Sequence, residues 1–513
     1  MQQAARNAVW LPWKSAASGD VTHNYPERIM SMRSPIILGT LGILLLFVGS
    51  ALAEQSEFVN PPEEFSEDGS LDTELVAKKK QMTVAGREVL TRVYNELYIP
   101  PTLRVLPGDT LNLRLSNELE NPVTELTNIH THGWNVSPEL GQDNIFMQIA
   151  PGDHFDYSIF VPDNHPQGLF WYHPHGHKPQ LDPNATTEGN TEFQIFSGMS
   201  GGLVVDGILD PFPQLDGIEE RFLLLKDIQI TDDGKIPNPI DSNAGTTRMV
   251  NGEVNPLMKI RPNELQFWRV GNIGTDIYYK LKLDGHAVFQ LARDGNRQNQ
   301  LRVRDEILLP PSSRVEFLVR GGQRGVYALR TLAVTTGPAG DQYPEATLAT
   351  LQVTGPSAKR IPLPRKRQFP PVEDFRESLP VPPNKRRDYV FSESADGNTF
   401  FVNGKEFNIN RVDFTVPVGH IEEWTIKNVS TEWHVFHIHQ TDFQVIEING
   451  EEQEFYGHQD TVNIPYQVDG VPGEVKVLID FRDPIIVGKF VAHCHIGAHE
   501  DNGMMAVVEV VDE

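Results

Sequence analysis

The chain has 513 residues, of which 22% are charged, and a formal net charge of −25. This acidic balance argues against a nucleic-acid partner, because the phosphate backbone binds basic surfaces, while a mature length of about 460 residues predicts roughly three domains. The single cysteine, Cys494, excludes an intramolecular disulfide, so its thiol is free to bind a metal.

The first 53 residues predict a targeting segment that is not part of the fold. An apolar run over residues 36–48 is followed by Ala-Leu-Ala at residues 51–53, which is the pattern of a cleaved signal peptide. The run is too short for a comfortable membrane span. We therefore expect a periplasmic or secreted mature protein that begins at Glu54 and has no stable membrane span. The alternative is an uncleaved anchor, and residues 1–31 fit an upstream extension.

Strand-like runs dominate the sequence after about residue 80, and long helical periodicities are scarce. Clear examples are residues 102–106, 111–115, 222–225 and 315–319, which are separated by turns rich in Gly, Pro and Asn. Many short strands with turn residues between them predict an all-β sandwich or barrel.

A repeated unit occurs three times along the chain. Each copy has a hairpin entrance, a Pro-containing turn and a strand that ends in asparagine, namely Asn117, Asn272 and Asn428. Three copies agree with the domain number that the length predicts. A stretch rich in Pro and charged residues, 355–387, separates the second and third copies and predicts a long surface connection.

The middle copy lacks the histidines of the third copy. When Trp268 is aligned with Trp424, three histidines of the third copy correspond to Tyr278, Leu281 and Leu283. The middle domain is therefore predicted to be a spacer without metal ligands.

The C-terminal region contains a compact group of possible metal ligands. Cys494 lies between His493 and His495, and His499 and Met504 follow. One thiolate, imidazole nitrogens and a weak axial thioether build a mononuclear blue-copper site. The apolar run before the cysteine predicts a strand, so Cys494 faces one way and the flanking histidines the other, which gives electrons a short covalent path between two metal sites. The alternative is a buried free cysteine beside incidental histidines.

Ten of the 17 histidines lie in four short windows of the sequence. These windows are His130-x-His132, His173-x-His175, His434-x-x-His437-x-His439, and His493-Cys494-His495 with His499. Strand alternation places His437 and His439 on one face and His434 on the other. His434 is therefore predicted to join Cys494 at the mononuclear site, with His499 and Met504.

The remaining eight imidazoles are too many for one metal but suit a cluster of three. Two windows come from the first copy and two from the third, so the cluster is expected at the interface of these copies. Neutral imidazole suits copper. The alternatives are histidines scattered in the core and on the surface, or separate zinc sites.

These windows resemble the four signatures of three-domain multicopper oxidases of the laccase-like, bacterial type: His-x-His-Gly, His-x-His, His-x-x-His-x-His and His-Cys-His-x-x-x-His-x-x-x-x-Met. The resemblance covers nearly the whole mature chain and implies three cupredoxin-like Greek-key β-sandwich or barrel domains. The implied segments are an extension with signal peptide (1–53), domain 1 with cluster ligands (54–208), domain 2 without copper (209–355), a linker (356–388) and domain 3 with type 1 copper and cluster ligands (389–513).

The resemblance also implies four copper ions. Type 1 copper would bind His434, Cys494, His499 and Met504, and type 2 copper would bind His130 and His437. The type 3 pair would bind His132, His173, His175, His439, His493 and His495. The family spacing, ten residues after the cysteine, selects Met504 and not the adjacent Met505.

The activity that the resemblance implies is one-electron oxidation of phenolic or aromatic donors, coupled to four-electron reduction of dioxygen to water. Dioxygen and a small reducing substrate are the expected partners, and a monomer is expected because one chain supplies both outer domains. Glu500, Asp501 and Asp143 resemble acids that relay protons near the cluster. The alternatives are that these acids orient imidazoles or are ordinary loop acids.

Two other functions compete with this interpretation. A metallo-oxidase would oxidise cuprous, ferrous or manganous ions, although the methionine-rich insertion of many cuprous oxidases is absent from this sequence. A non-enzymatic relative would use the fold for protein binding, but such division-associated family members have lost copper ligands, whereas this chain keeps the full set. A thioether axial ligand, Met504, predicts a moderate reduction potential, which favours easily oxidised donors.

Overall fold

The computed structural model describes residues 55–121, 124–176 and 191–512. The predicted signal peptide, the upstream extension and the expected mature start at Glu54 lie outside the described residues. Within the described ranges, no helix has the length and apolar character that crossing a membrane requires.

The first part of the fold contains nine strands that build two sheets. The strands are β1 (Glu63–Phe65), β2 (Ser70–Val84), β3 (Arg87–Tyr94), β4 (Thr102–Val105), β5 (Thr110–Asn117), β6 (His130–His132), β7 (His154–Phe160), β8 (Gly168–His173) and β9 (Gly201–Val205). One sheet has the order β1-β4-β9-β8-β6, and the other has the order β3-β2-β5-β7.

The middle part builds two larger sheets and a short ribbon. Its strands are β10 (Glu219–Ile228), β11 (Thr247–Val250), β12 (Leu257–Ile260), β13 (Leu265–Asn272), β14 (Tyr279–Leu283), β15 (Val288–Arg293), β16 (Asn296–Arg304), β17 (Ile307–Leu309), β18 (Arg314–Arg320), β19 (Gly325–Leu332), β20 (Val334–Thr335), β21 (Gln342–Tyr343) and β22 (Ala346–Val353). The sheet orders are β11-β10-β13-β18-β15-β16, β12-β22-β19-β14-β17 and β20-β21.

The third part repeats the same plan. Its strands are β23 (Arg386–Glu393), β24 (Phe400–Val402), β25 (Val412–Pro417), β26 (Ile421–Asn428), β27 (His434–Ile438), β28 (Phe443–Ile448), β29 (Glu451–Glu452), β30 (Thr461–Ile464), β31 (Gly473–Asp480), β32 (Gly488–Cys494) and β33 (Met505–Val511). The orders are β24-β23-β26-β31-β28-β29 and β25-β33-β32-β27-β30. The prediction of an all-β, cupredoxin-like fold is confirmed.

The α-helices in the described ranges are short. They are α1 (Thr191–Ser197) and α2 (Gly497–Asp501), and single 3-10 turns occur at Pro213–Leu215, Lys366–Gln368, Phe375–Ser378, Pro383–Lys385 and Pro484–Ile486. The helix α2 follows β32 directly, so it carries His499 back toward the strand that holds Cys494.

The predicted repeat is confirmed, and hydrogen bonding explains it. The equivalent strands β5, β13 and β26 end at Asn117, Asn272 and Asn428. In each case the side-chain oxygen accepts a bond from the backbone N–H two residues on, at 3.0, 3.3 and 2.9 Å. Each amide nitrogen also donates to the carbonyl of a later loop residue. Asparagine can satisfy the backbone of such a turn with its own side chain, so the repeat retains it.

The connection between the middle and third parts differs from the predicted surface loop at three apolar residues. Phe369 packs in a buried cluster with Phe212, and their ring centroids lie 4.7 Å apart. Phe375 and Val381 are buried with Leu478 of β31. These contacts fix the connection to both neighbouring parts, because burying each large apolar side chain contributes about 1.5–3 kcal/mol.

Candidate metal centre

Cross-strand pairing assembles the histidines of the first part. In the antiparallel pair β6–β8, His130 lies directly opposite His173, and His132 lies opposite Trp171. Opposed side chains project to the same face of a sheet. The rings of His130 and His173 consequently approach to 5.3 Å between centroids. His175 follows two residues after His173 and is also fully buried.

The third part brings its histidines together in the same way. In the pair β27–β32, His437 lies opposite His493, whereas Phe436 lies opposite Cys494. His437 and His493 therefore share one face, and Cys494 lies on the opposite face. His439 Nε2 lies 3.2 Å from His493 Nε2. The parity predicted from the sequence is confirmed by this register.

The two histidine groups meet at an interface between the first and third parts. The ring of His130 stacks on His439, and the ring of His132 stacks on His437, each with centroids 3.8 Å apart. His132 Nδ1 also lies 3.2 Å from His495 Nε2. All eight imidazoles are buried.

Ligand atoms within this interface fall into three sets whose members lie within 4.8 Å of one another. The sets are His132, His173 and His495; His175, His439 and His493; and His130, His132 and His437. The first two sets divide the six residues expected for the type 3 pair into triples. The third set contains both residues expected for type 2 copper.

A fourth set, His434, Cys494 and His499, lies on the opposite face of β32. Sγ of Cys494 lies 3.7 Å from His434 Nδ1 and 3.6 Å from His499 Nδ1, and these two nitrogens are 3.0 Å apart. Burial raises the pKa of the Cys494 thiol, but hydrogen bonds with His434 and His499 outweigh burial and lower it to about 6. A thiolate is the form of cysteine that binds metal.

The two adjacent methionines occupy different environments. Met505 pairs with His493 across β32–β33 and packs with Ile145 and Val491. Met504 precedes it and is fully buried in the same apolar cluster as Cys494. Its carbonyl accepts a 3.0 Å bond from the Cys494 N–H. This arrangement supports Met504, and not Met505, as the methionine that would join the Cys494 set.

Comparisons with known proteins identify this combination of fold and ligand sets. Two family models described as multicopper oxidase match residues 76–206 and 380–513, which together make up more than half of the chain. The chain belongs to the multicopper oxidase family. As a member, it is an oxidoreductase that uses copper, dioxygen and a reducing substrate.

Relatives of this oxidase include proteins with different roles. It is 27% identical to the multicopper oxidase Mco of Staphylococcus haemolyticus, over 82% of this chain and 83% of that protein. It is 26% identical to the cell division protein FtsP of Photorhabdus laumondii, over 86% and 90% of the two chains. A solved laccase-like multicopper oxidase, CueO from Ochrobactrum sp., is 25% identical with a TM-score of 0.70, covering 88% of this chain and 100% of that chain.

The residues of this oxidase fit copper. The buried ring nitrogens without a hydrogen-bond partner among the described residues include His130 Nε2, His173 Nε2, His437 Nε2 and His439 Nδ1. Burial and the charges of neighbouring imidazoles lower the pKa of His132, His173, His437, His439 and His495 well below the usual range. These imidazoles are therefore neutral, which is the form that binds metal.

Two of the three predicted acids of the oxidase contact the histidine cluster. Asp143 accepts from the ring of His130, with its oxygens 3.0 and 3.1 Å from Nδ1, and from Gln440 Nε2 at 3.0 Å. Glu500 lies 3.1 Å from His493 Nδ1 and 3.4 Å from His175 Nε2. Both carboxylates are buried. They can orient imidazoles and can also exchange protons beside the cluster.

Asp501 has different contacts. Its two carboxylate oxygens accept from the backbone N–H groups of Thr191 and Glu192, at 3.2 and 3.0 Å, at the beginning of α1. These bonds satisfy donors that a helix N-terminus leaves open. They also tie α2, which carries His499, to the first part of the fold.

A buried ion pair beside the cluster was not predicted from the sequence. Arg314, at the start of β18, donates to Asp460 Oδ1 at 2.9 Å. Asp460 lies 3.4 Å from His132 Nε2, and its backbone carbonyl accepts from His437 Nδ1 at 2.8 Å. The middle part is therefore more than a spacer, since it supplies the cation that balances Asp460. No short motif marks this pair, because its members are 146 residues apart.

The polar groups that contact the outer ring nitrogens of His434 and His499 were also not predicted from the sequence. His434 Nε2 lies 2.7 Å from Ser430 Oγ and 3.3 Å from Glu393 Oε1. His499 Nε2 lies 3.1 Å from Glu432 Oε1. Glu393, Glu432 and His434 form a further set of potential ligands that is partly open to solvent.

Proposed function

We propose that this oxidase takes single electrons from phenolic or aromatic donors and uses four of them to reduce dioxygen to water. The observation that carries the proposal is the position of the two sites. Cys494 lies in one set of ligand atoms, and both of its sequence neighbours lie in the eight-imidazole cluster on the opposite face. The Cys494 set, where single electrons would enter, is therefore joined to the histidine cluster through the backbone between Cys494 and its two adjacent histidines.

We assign the ligands as the sequence predicts. His434, Cys494, His499 and Met504 hold type 1 copper, and His130 and His437 hold type 2 copper. Two triples would hold one type 3 ion each: His132, His173 and His495 would hold one, and His175, His439 and His493 would hold the other. Copper supplies the one-electron chemistry and the reduction of dioxygen. The proposal of four ions is supported by the three histidine sets and the Cys494 set.

The domain bounds and cellular setting belong to the same proposal. We place the three domains at residues 54–208, 209–355 and 389–513, with the linker at 356–388 between the last two. We further propose a monomeric, periplasmic or secreted protein. The monomer is supported by the histidine cluster, whose two halves are supplied by the outer parts of one chain.

The acids beside the cluster have a defined role in this scheme. Reduction of dioxygen to water consumes four protons, which must reach a site buried from solvent. Glu500 contacts His493 and His175, and Asp143 contacts His130, so each can pass a proton to the cluster while it holds an imidazole in place. Gln440 fixes the Asp143 carboxylate from the other side. We assign Asp501 to the attachment of α1.

Phenolic donors suit the chemistry of the Cys494 set. A methionine beside the thiolate predicts a moderate potential, which is sufficient for easily oxidised phenols and aromatic amines. The similar Ochrobactrum CueO has oxidase activity towards lignin model compounds and lignosulfonate, which supports the same donor class here. Phe400 stacks on His499 at 4.3 Å and offers an aromatic surface beside this ligand.

Oxygen uptake with a methoxyphenol donor tests the proposed function. The copper-loaded protein is expected to consume about four donor molecules for each dioxygen and to release no hydrogen peroxide, because four electrons complete the reduction to water. A ratio near two with accumulation of peroxide would contradict the four-electron cluster. Absence of turnover with phenols and aromatic amines would contradict the donor class.

A metal ion is the second candidate donor, and one observation favours it. Glu393 and Glu432 place two carboxylates beside the outward nitrogens of His434 and His499. Two neighbouring carboxylates create a negative potential that attracts cations and raises the local cation concentration. A ferrous or cuprous ion held there would lie one imidazole away from the Cys494 set.

Glu432→Gln distinguishes the two donors. If a cation is the donor, kcat/KM for ferrous ion is expected to fall by about tenfold or more, because the substitution removes one attracting charge. The rate with a neutral phenol is expected to stay within about a factor of two. Steady-state oxygen uptake measures both rates. Glu451→Gln, on the exposed strand β29, makes the same charge change away from the site and serves as the control. Equal losses with both donors would show that Glu432 acts on His499 itself.

A further inference from the structure

A cavity of about 520 Å³ lies between the middle and third parts of the fold. Its walls come from β15 and β16 on one side and from the segment after β29, residues 453–459, on the other. The volume falls within the range of about 300–1,000 Å³ that is usual for small-molecule sites, and such sites often lie between domains. None of the predicted copper ligands lines it.

Three arginines line this cavity. Arg302 and Arg304 are two residues apart on β16 and therefore project from the same face, while Val303 between them is exposed on the other. Arg293 lies at the end of the neighbouring strand β15. Among the described residues, Arg302 and Arg304 form no ion pair, and Arg304 donates only to the neutral Gln290, at 3.3 Å.

The arginines carry more positive charge than nearby groups balance. Arg293 Nε lies 3.6 Å from Asp294 but lacks a hydrogen-bond partner within the described part of the chain. Burial, and then the charge of Arg304, lowers the pKa of Arg302 to about 10. Arg304 and Arg293 both contribute to this lowering, as expected where like charges lie near one another in a partly desolvated space. An anion placed between them would relieve this repulsion.

Two acids line the cavity, and only one of them is paired with cations among the described residues. Glu306 pairs with Lys280 at 2.8 Å and with Lys282 at 3.1 Å. Glu454 accepts from the hydroxyl of Tyr456. Since the paired lysines balance Glu306, Glu454 is the one lining carboxylate left to offset the three guanidinium groups among the described residues.

The remaining walls suit an organic molecule. The Arg302 guanidinium lies over the ring of Tyr456, 3.5 Å from its centroid, which fixes the guanidinium plane. Ile307, Leu308 and Val445 supply apolar surface. Gln298 is 97% buried, lines the cavity and has a side-chain oxygen without a hydrogen-bond partner among the described residues. This oxygen is available to accept a bond from a ligand.

We propose that this cavity binds an organic anion, with its carboxylate on Arg302, Arg304 and Arg293 and its apolar body against Ile307, Leu308 and Val445. The guanidinium fork binds a carboxylate through two parallel hydrogen bonds. This site is separate from the copper ligands and does not depend on which donor the oxidase takes. It adds a ligand site at the contact between the middle and third parts of the chain.

Isothermal titration of the copper-loaded full chain tests the proposal, with 1-naphthoate, neutral 1-naphthamide and inorganic phosphate as probes. We expect 1-naphthoate to bind. Both other probes should bind at least about tenfold more weakly, because 1-naphthamide lacks the negative charge and phosphate lacks the apolar body. Arg302→Gln and Arg304→Gln should each weaken 1-naphthoate by about tenfold or more. Thermal unfolding and the visible spectrum of each variant check that the fold is retained.

Arg367→Gln is the matched control. Arg367 is exposed, lies outside the cavity and loses the same charge on substitution. The affinity of the Arg367→Gln variant for 1-naphthoate should stay within about a factor of two of the affinity of the unsubstituted protein. Failure of 1-naphthoate to bind would overturn the proposal, as would equal affinities in the Arg302, Arg304 and Arg367 variants. Phosphate binding as tight as that of 1-naphthoate would overturn the assignment of an organic ligand.

Discussion

Cys494→Ser is expected to lower the rate of donor oxidation by at least about a hundredfold and to remove the intense visible absorption. A serine hydroxyl is not a soft thiolate, and the loss of such a ligand costs at least as much as the losses of about 10–100-fold that follow from substitutions around a metal site. Copper content should fall by about one ion per chain, since the eight imidazoles are unchanged. Metal analysis, absorption spectroscopy and steady-state oxygen uptake measure the three effects.

Met505→Leu is the control for this substitution. Met505 is buried next to Met504 but lies on the face of β33 that pairs with His493. A Met-to-Leu exchange in a core conserves volume and usually costs less than about 1.5 kcal/mol. The absorption band and the oxidation rate should therefore stay close to those of the unsubstituted protein. A blue Cys494→Ser protein with full copper content would show that the thiolate is not a ligand.

Glu500→Gln is expected to keep the blue colour and to slow turnover with dioxygen by about a hundredfold or more. The substitution leaves the Cys494 set intact but removes a proton-carrying group beside His493 and His175, and general acid–base groups contribute about 10²–10⁴ to rates. Stopped-flow reoxidation of the fully reduced protein measures this step separately from donor oxidation. Reoxidation at an unchanged rate would remove Glu500 from the mechanism.

Asp501→Asn provides the comparison for Glu500. The two oxygens of the Asp501 carboxylate accept from two backbone N–H groups of α1, and asparagine keeps only one of these acceptors, so the loss of one hydrogen bond should reduce stability by about 1 kcal/mol. Reoxidation of the folded variant should stay within about a factor of two. If the two variants slow reoxidation equally, the effect comes from displacement of α2 and not from proton transfer by Glu500. Copper content of both variants reports whether an imidazole has lost its orientation.

Most of the ligand geometry could be predicted because it is encoded over short distances in the sequence. Alternation along a strand is enough to separate His434 and Cys494 from His437 and His493, and the register of β27 with β32 confirms the separation. The three asparagines that end strands could also be predicted from the sequence. Each one accepts a hydrogen bond from the backbone N–H two residues later, so the interaction is local.

The surroundings of the ligands could not be predicted in the same way. Arg314 reaches Asp460 from another sheet, and the contact depends on how the middle part packs against the third. Glu393 and Glu432 approach His434 and His499 because loops converge around the Cys494 set. Ordinary charged residues carry no spacing signal for such contacts. The fold must be known before they can be found.

The connection around residues 355–387 shows how composition can mislead. Its many prolines and charges predicted a surface path, but Phe369, Phe375 and Val381 bury their side chains. Prolines separate these three apolar residues in the sequence, so the residues form no helical or strand periodicity that would predict their burial. Proline fixes the backbone of such a segment without preventing apolar side chains from packing.

Copper analysis of the mature protein, combined with visible and paramagnetic-resonance spectra, tests whether the chain holds both the Cys494 copper site and the histidine cluster. We expect about four copper ions per chain, an intense blue band from the Cys494 set, and a paramagnetic-resonance signal from copper at that set. A colourless protein with little copper would contradict the proposed oxidase and would favour the alternative that this fold serves as a binding protein.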